Sequence, residues 1–89
     1  MQLSFGSLVQ MFQLEGLIAL GQIENPLSGT LERNLEHAQF IIELLALLQE
    51  KTQGNLSAAE SAQLNAALTE LRLLYVESLS GPSNPPERA

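Results

Sequence analysis

The chain has 89 residues, a formal charge of −6 and no cysteine. This length suits one small domain, and the excess of acidic residues argues against binding nucleic acid or anionic lipid through charge. Without cysteine there is no disulfide, no thiolate metal site and no thiol nucleophile. We therefore expect a single domain, residues 1–79, without nucleic-acid or membrane partners.

The composition favours an all-α fold. Leucine occupies 19 of the 89 positions, whereas valine, isoleucine and threonine together occupy 9. All ten acidic residues are glutamate and none is aspartate. Leucine and glutamate are good helix formers, whereas β-branched residues favour strands and aspartate disfavours helix interiors. The sequence therefore predicts helices connected by loops.

The first helix is predicted over about residues 5–20. Ser4 or Ser7 could cap its start, because a hydroxyl can accept a hydrogen bond from a free amide of the first turn. Gly21 can end it, because glycine adopts the left-handed conformation with little strain. A helix of this length, about 24 Å, could pack along the other two helices of a small bundle.

A connector is predicted after the first helix, over about residues 22–34. Asn25-Pro26 and Ser28-Gly29 are dipeptides typical of turns, so the connector should bend twice, with Pro26 in the first bend. The interval contains no continuous helical pattern of apolar residues. We therefore expect a loop of about a dozen residues between the first and second helices.

The second helix is predicted over about residues 35–53. Asn34 is the expected N-cap, with Thr30 as an alternative. Gly54 and Asn55 should end the helix and form the turn that follows it. Because this link is so short, the second and third helices should form an antiparallel hairpin.

The third helix is predicted over about residues 58–79, and its start is the clearest local signal in the chain. Ser57 is followed three residues later by Glu60, the spacing of a capping box, in which each side chain bonds the other's backbone amide. Residues 80–89 are rich in proline and serine and cannot continue the helix. We expect them to form a flexible tail.

The first two helices carry more apolar surface than one small bundle can cover. At 100° per residue, the first helix has a core face and a second apolar stripe, and apolar residues span about two thirds of the second helix. A soluble monomer rarely exposes so large a patch. We therefore predict a homodimer, with these residues at the interface: Met11, Leu14, Ile18, Phe40, Leu44 and Leu47.

Two alternatives could also account for the surplus apolar surface. The connector could fold back and cover it with Ile23, Leu27 and Leu31, which would leave a monomer. Otherwise the surface could bind an unidentified protein partner. The oligomeric state in solution distinguishes these possibilities from a homodimer.

Lys51 and Arg72 are expected to form structural ion pairs on the helical hairpin. Symmetry about the turn places Arg72 opposite Gln39, within reach of Glu36 or Glu43, and it places Lys51 opposite Glu60. Pairing of Lys51 and Arg72 with such carboxylates would be worth only about 0–1 kcal/mol each if exposed.

The acidic strip and the single histidine give little support to metal or catalytic chemistry. Glu36, Glu43 and Glu50 recur every seven residues, and we interpret them as a solvated face. Carboxylate metal bundles need a Glu-x-x-His motif on facing helices, whereas His37 directly follows Glu36. His37 could act as a pH-sensitive switch at an interface, or it could be a helix-end histidine with one edge in water.

The resulting functional prediction is a non-enzymatic structural or interaction module without a cofactor or a metal. The absence of aspartate and of a positioned serine leaves a hydrolase triad unsupported. A ligand-binding or enzymatic pocket between protomers is the alternative, and a peripheral membrane binder that uses the first helix is a weaker one. The amino end lacks a positive signal region, since the first basic residue is Arg33, so a cytoplasmic location is expected.

Three separated segments resemble a known family. They are LIALGQI over 17–23 followed by Asn25-Pro26, EKT over 50–52 followed by GNL over 54–56 and Glu60, and LR over 71–72 followed by YVE over 75–77. In this order and spacing they resemble the small bacterial family labelled domain of unknown function 1844. The resemblance covers about residues 5–77 and implies a bacterial cytoplasmic protein.

The chain departs from that family pattern at two places. An aspartate is common in the family where Glu43 stands, and proline or more acidic residues are common where Ala58 and Ala59 follow the Ser57 cap. Both departures are compatible with helices. Because the family has no established activity, the resemblance implies no mechanism, and Glu43 gains no support as a catalytic carboxylate.

Overall fold

A computed structural model describes residues 3–80, which form three α-helices and no strand: α1 (Phe5–Ala19), α2 (Leu35–Lys51) and α3 (Ala58–Ser80). The predicted all-α, three-helix architecture is confirmed. Observed helix ends lie within two residues of the predicted ones, which is the usual uncertainty where helix ends fray. The predicted tail lies outside the described residues, except for Ser80 at the end of α3.

Side-chain oxygens cap the starts of α1 and α2. The Ser4 hydroxyl accepts a hydrogen bond of 3.1 Å from the Ser7 amide, and the Asn34 side chain accepts one of 3.0 Å from the His37 amide. Ser4 and Asn34 are therefore the caps, rather than Ser7 and Thr30. Each bond satisfies one of the amides that have no partner within the helix.

The turn between α2 and α3 has the local geometry that its sequence favours. Gly54 has a φ of +85°, and the amide of Asn55 bonds back to the carbonyl of the α2 C-cap residue. The Ser57 amide then donates to the Glu60 carboxylate at 2.8 Å, and the Glu60 amide donates to the Ser57 hydroxyl at 3.1 Å. These reciprocal bonds form a capping box that starts α3.

Side-chain hydrogen bonds show that α2 and α3 run antiparallel. The Tyr75 hydroxyl, late in α3, donates to Gln39, early in α2, at 3.4 Å. At the other end of the two helices, the side-chain amide of Gln49, late in α2, donates a hydrogen bond to the side chain of Asn65, early in α3. The two helices therefore form the expected hairpin.

Helix α1 packs parallel to α3. The Gln63 side chain donates a hydrogen bond of 3.1 Å to the Gly6 carbonyl. Two turns further along both helices, the Gln13 side chain donates a hydrogen bond to the Glu70 carboxylate. Because α2 is antiparallel to α3, α1 and α2 also run in opposite directions. All three helices touch one another, so the bundle has a single core.

The core is built from all three helices and from the residue that follows α1. Full burial of a large apolar side chain stabilises the fold by about 1.5–3 kcal/mol. The buried apolar residues are Val9, Ala19, Leu20, Ala38, Ile41, Ile42, Leu45, Leu64, Ala67, Leu68 and Leu71. Gly16 is also buried, and a Cβ at this position would lie 3.0 Å from the Leu71 methyls.

The connector between α1 and α2 is closed by hydrogen bonds around Asn25. The Asn25 side chain accepts a bond of 2.9 Å from the Leu27 amide and donates one of 3.1 Å to Glu32, while its carbonyl accepts one of 2.7 Å from Gly29. A backbone bond of 2.9 Å from Asn25 to the Thr30 carbonyl closes the loop. Asn25 therefore joins both arms of the loop through its backbone and its side chain.

The apolar residues of the connector do not cover the helices. Leu27, beside Pro26 in the first bend, is 95% exposed, and Ile23 and Leu31 are exposed as well. The alternative prediction that these three side chains fold over the surplus apolar surface is therefore wrong. The physical reason is that the Asn25 bonds close the loop on itself and leave these side chains in water.

Candidate functional site

An open apolar groove of about 370 Å³ runs between α1 and α2. Helix α1 lines it with residues that lie one turn apart, and α2 lines it with residues from its second half. Lys51, in the last turn of α2, is the charged residue of the lining. The groove is lined by Leu8, Phe12, Leu44, Leu47, Leu48 and Lys51.

Exposed apolar side chains extend the groove along both helices. Met11 follows Leu8 by about one turn of α1 and is 66% exposed; Phe40 precedes Leu44 by about one turn of α2 and is 56% exposed. Residues three or four apart lie on the same side of a helix. We call the resulting surface the α1/α2 face, formed by Leu8, Met11, Phe40, Leu44 and Leu47.

A histidine–glutamate contact marks one end of the α1/α2 face. The His37 Nε2 atom lies 3.0 Å from a Glu15 carboxylate oxygen, and both side chains are about half exposed. The His37 ring also stacks on Phe40, with ring centroids 6.1 Å apart and planes at 23°. The structure thus places His37 at a helix end with one edge in water.

Four of the six residues predicted for an interface lie on the α1/α2 face: Met11, Phe40, Leu44 and Leu47. Leu14 follows Met11 by about one turn of α1 and is 49% exposed, so it continues the same exposed stripe. Ile18 lies one turn further along α1 and is partly buried in a second cleft. Contact of these residues with a partner remains a prediction.

The second cleft lies between the α1/α2 face and the connector and has a volume of about 340 Å³. It has a mixed polar and apolar lining that includes the Glu15–His37 contact. Its lining residues are Glu15, Ile18, Ala19, Asn25, Pro26, Leu27, Glu32, Asn34 and His37. Within the part of the chain that the structure describes, no group of three His or Glu side chains is arranged to hold a metal ion.

Glu32 is the carboxylate of this cleft whose environment favours the charged form. Hydrogen bonding to Ser28 lowers the pKa of Glu32 from its ordinary value of 4.5, with smaller contributions from Asn25 and Thr30. The geometry agrees for two of these partners, since Asn25 and Thr30 donate to Glu32 at 3.1 and 3.2 Å. Glu32 is therefore a structural acceptor that holds the connector together.

The ion pairs expected for Lys51, Arg72 and Glu43 are not formed in this structure. Within residues 3–80, the close contact between a basic and an acidic side chain is that of His37 with Glu15. Glu43 instead accepts a hydrogen bond of 3.2 Å from Gln39 on the same helix. Arg72 and Lys51 are exposed. Water solvates their charges there, so an ion pair with a carboxylate would add little to the stability of the fold.

Two features of the surface were missed in the sequence. Leu8 and Phe12 look like ordinary core positions, and only the register of α1 against α2 shows that they line an open groove. The outer side of α3 also carries an exposed apolar stripe, Leu73, Val76 and Leu79. Leu73 could be assigned from the sequence to a second, mildly apolar side of the third helix, whereas the exposure of Val76 and Leu79 could not.

Comparison with known proteins identifies a family without adding a function. Among the described helices, none combines the length and the apolar character needed to cross a membrane. Neither the curated proteins nor the solved structures contain a match to this chain. Residues 2–77 match a family model described as Domain of unknown function (DUF1844). The match covers most of the chain and confirms the resemblance seen in the three sequence segments, so the chain belongs to this family.

Proposed function

We propose that this protein is a non-enzymatic module that self-associates, most simply as a homodimer, through the α1/α2 face. The observation that carries the proposal is the exposure of large apolar side chains on one continuous surface. Met11, Phe40 and Leu47 are each at least half exposed, and the open groove lies beside them. Exposed patches of this kind mark interaction surfaces in soluble proteins.

The α1/α2 face has the composition of an interface centre. The apolar core of an interface is enriched in aromatic residues and methionine and depleted of charged residues, and the face contains Phe40 and Met11 beside Leu44 and Leu47. In a two-fold dimer the same patch is buried on both copies, so each exposed side chain is covered twice.

The folded chain does not cover this surface with its own connector. Leu27 and Leu31 are exposed to solvent, and the Asn25 hydrogen bonds hold the loop in that arrangement. Within residues 3–80, the connector therefore leaves the face in water, and a second copy of the chain could cover it. The expected setting is the cytoplasm, where proteins rarely use disulfides, and the chain contains no cysteine.

The proposal is tested by a glutamate substitution on the face. Leu47→Glu places a charge in the groove, so we expect it to convert the dimer into a monomer at micromolar concentration, while far-UV circular dichroism stays helical. The mass is measured by sedimentation velocity. Even beside Lys51, which lines the same groove, removing the new carboxylate from water in an interface costs more than the attraction returns, and the apolar contribution of the leucine is lost as well.

Leu73→Glu is the matched control. Leu73 is an exposed α3 leucine (57%) comparable to Leu47 (50%), but it lies outside the α1/α2 face. We expect this variant to sediment as the parent does. A parent chain that is already monomeric at micromolar concentration, or a Leu47→Glu variant that remains dimeric, would contradict the proposal.

The cleft beside the connector favours a second candidate, a small-ligand site. Its volume of about 340 Å³ falls within the range of ligand pockets, about 300–1,000 Å³, and Glu15 and His37 could orient a polar ligand. A fragment screen by NMR tests this candidate. If the cleft binds small ligands, fragments should change the NMR chemical shifts of His37 and the connector residues. The same changes should persist in the Leu47→Glu variant.

A further inference from the structure

The two helices of the α1/α2 face differ in the charge of their outward sides. Along α2, Phe40 lies between Glu36 and Glu43, and all three are exposed. Leu47 lies in the same way between Glu43 and Glu50, which are exposed as well. Residues three or four apart share one side of a helix. The outward side of α2 therefore alternates apolar side chains with carboxylates.

The outward side of α1 is uncharged. It is formed by residues three or four apart, which we call the α1 ridge: Ser4, Ser7, Met11, Leu14 and Ile18. Met11 is 66% exposed and Leu14 is 49% exposed, and the two serine hydroxyls bond each other at 3.0 Å. From residue 3 to residue 14 the chain contains no charged side chain. Two copies can therefore bring their α1 ridges together without burying a charge.

This difference distinguishes the two helices as the centre of a two-fold contact. A contact centred on the exposed side of α2 would enclose Glu43, because this residue lies between Phe40 and Leu47. It would also bring Glu43 close to its own copy. Enclosing a carboxylate without a cation is costly, and placing like charges together adds to the cost. A contact centred on the α1 ridge leaves the glutamates of α2 in water.

The charge of Glu15 distinguishes the two directions in which the α1 helices can pair. In a parallel pair, Glu15 would lie beside Glu15 of the partner subunit. In an antiparallel pair centred on Met11, the midpoint of the α1 ridge, the two carboxylates are about 12 Å apart along the helices, at 1.5 Å per residue. Each then lies level with the first turn of the partner's α1, which has no acidic residue and whose helix dipole favours a negative charge.

We propose that two copies pair through an antiparallel α1–α1 contact, with Met11 at the two-fold axis and the glutamates of α2 outside it. This inference rests on the proposed function and specifies its geometry. Leu14 of each protomer then lies level with Leu8 of the partner subunit, since each is three residues from the axis. Leu8 and Leu47 line the same groove, so Leu14 packs at the mouth of the partner's groove.

Disulfide formation at the axis tests this geometry. The chain has no cysteine, so Met11→Cys introduces a single thiol at an exposed position. Under mild oxidation we expect a covalent dimer, because a residue at a two-fold axis lies within the roughly 7 Å Cα separation that a disulfide needs. Leu47→Cys, on the same face but on α2, is the matched control and should remain monomeric on a non-reducing gel, because the α2 helices lie away from the axis.

Two glutamine substitutions supply a second, independent measurement. Glu43→Gln should leave the dimer Kd within about twofold of the parent, because the carboxylate it removes stays in water. If α2 were at the axis, the same change would remove two facing charges and lower the Kd about tenfold. Leu14→Gln should raise the Kd at least about tenfold, because it removes a buried leucine from each side of the contact.

The possible outcomes separate this inference from the proposed function. A parent chain that sediments as a monomer refutes self-association, and this inference with it. A dimeric parent whose Met11→Cys variant does not cross-link, or whose Glu43→Gln variant dimerises more tightly, retains the proposed function and overturns the antiparallel α1–α1 geometry. Cross-linking through Met11→Cys alone, with an unchanged Kd for Glu43→Gln, supports both.

Discussion

Helix α1 contacts the rest of the bundle along two lines of packing, which we call seams. The seam against α3 is tightly packed, whereas the seam against α2 is open. Against α3 it presents Gly16, which packs against the Leu71 methyls, and the Gly6 carbonyl, which accepts a hydrogen bond from Gln63. Gln13 adds a hydrogen bond to Glu70. Without side chains at the two glycines the helices approach closely, and the polar bonds fix their register.

Against α2 the same helix presents Leu8 and Phe12, and an open groove remains between them and Leu44 and Leu47. The polar contact across this seam, from Glu15 to its histidine partner, lies at the end of the groove and is half exposed. The closed seam defines the fold, whereas the open seam leaves apolar surface in water. The difference shows how one short helix can serve both folding and association.

The largest expected effect comes from filling the closed seam. Gly16→Leu adds a side chain where even a Cβ would lie 3.0 Å from two Leu71 atoms and 3.4 Å from an Ile41 methyl. Overpacking of this kind costs about 1–3 kcal/mol and occasionally more, so we expect about 3 kcal/mol less stability in urea denaturation.

Gly6→Ala is the control for this substitution. Its Cβ would approach the Gln63 Oε1 atom at 2.7 Å, but that atom is at the end of a flexible side chain that can move. We expect a change within about 1 kcal/mol, since alanine also favours the helix. Equal stability of the Gly16→Leu and parent chains would show that the closed seam is not tightly packed.

A smaller effect is expected from removing the polar bond of the closed seam. Gln13→Met keeps the length of the side chain and deletes the hydrogen bond to Glu70. The bond is exposed, so the loss should be about 0.5–1 kcal/mol in urea denaturation. Gln10→Met, on the exposed side of α1, should change the stability by less, and similar values for both variants would contradict a role of Gln13 in fixing the register.

The smallest expected effect concerns the connector at the end of the open seam. Hydrogen bonds from Ser28, Asn25 and Thr30 lower the pKa of Glu32 in the folded chain, so the unfolded chain binds its proton more readily. The resulting stabilisation is present above the unfolded pKa, near 4.5, and is lost as the pH falls through the lower folded pKa. Urea midpoints between pH 7 and pH 3 measure this loss.

Glu32→Gln should show a smaller drop in stability across this acid range than the parent. Glu24→Gln, an exposed change on the same connector, controls for the loss of one charge and should follow the parent curve. Identical curves for the Glu32→Gln and parent chains would contradict the stabilising role of Glu32 in the connector. Screening by solvent keeps the effect small at this exposed position.

Much of the fold could be predicted because its determinants are local. The capping box at Ser57 and Glu60 and the left-handed glycine at Gly54 each depend on neighbours within a few residues. The short link that contains Gly54 also forces the hairpin. The exposure of Met11 and Phe40 follows from the periodicity of apolar residues along each helix. These signals do not require knowledge of how the helices pack.

The candidate site was less predictable because it depends on the register between helices. Leu8 and Leu47 are far apart in sequence, and no local pattern shows that they share a groove. The contact of Glu15 with His37 depends on how far α1 is shifted along α2, whereas a pair between Glu43 and Arg72 would depend on the register of α2 against α3. A shift of one helical turn would produce a different set of neighbours with the same local sequence signals.

Caps and helical periodicity act over one or two turns of helix, so the three capped helices, two of them with apolar residues on more than one side, could be predicted without knowing how they pack. Which seam of α1 is closed and which is open could not. That choice depends on the close approach of Gly16 to Leu71 on α3, a contact between residues distant in the chain, and on the bulkier side chains that hold the α2 seam open.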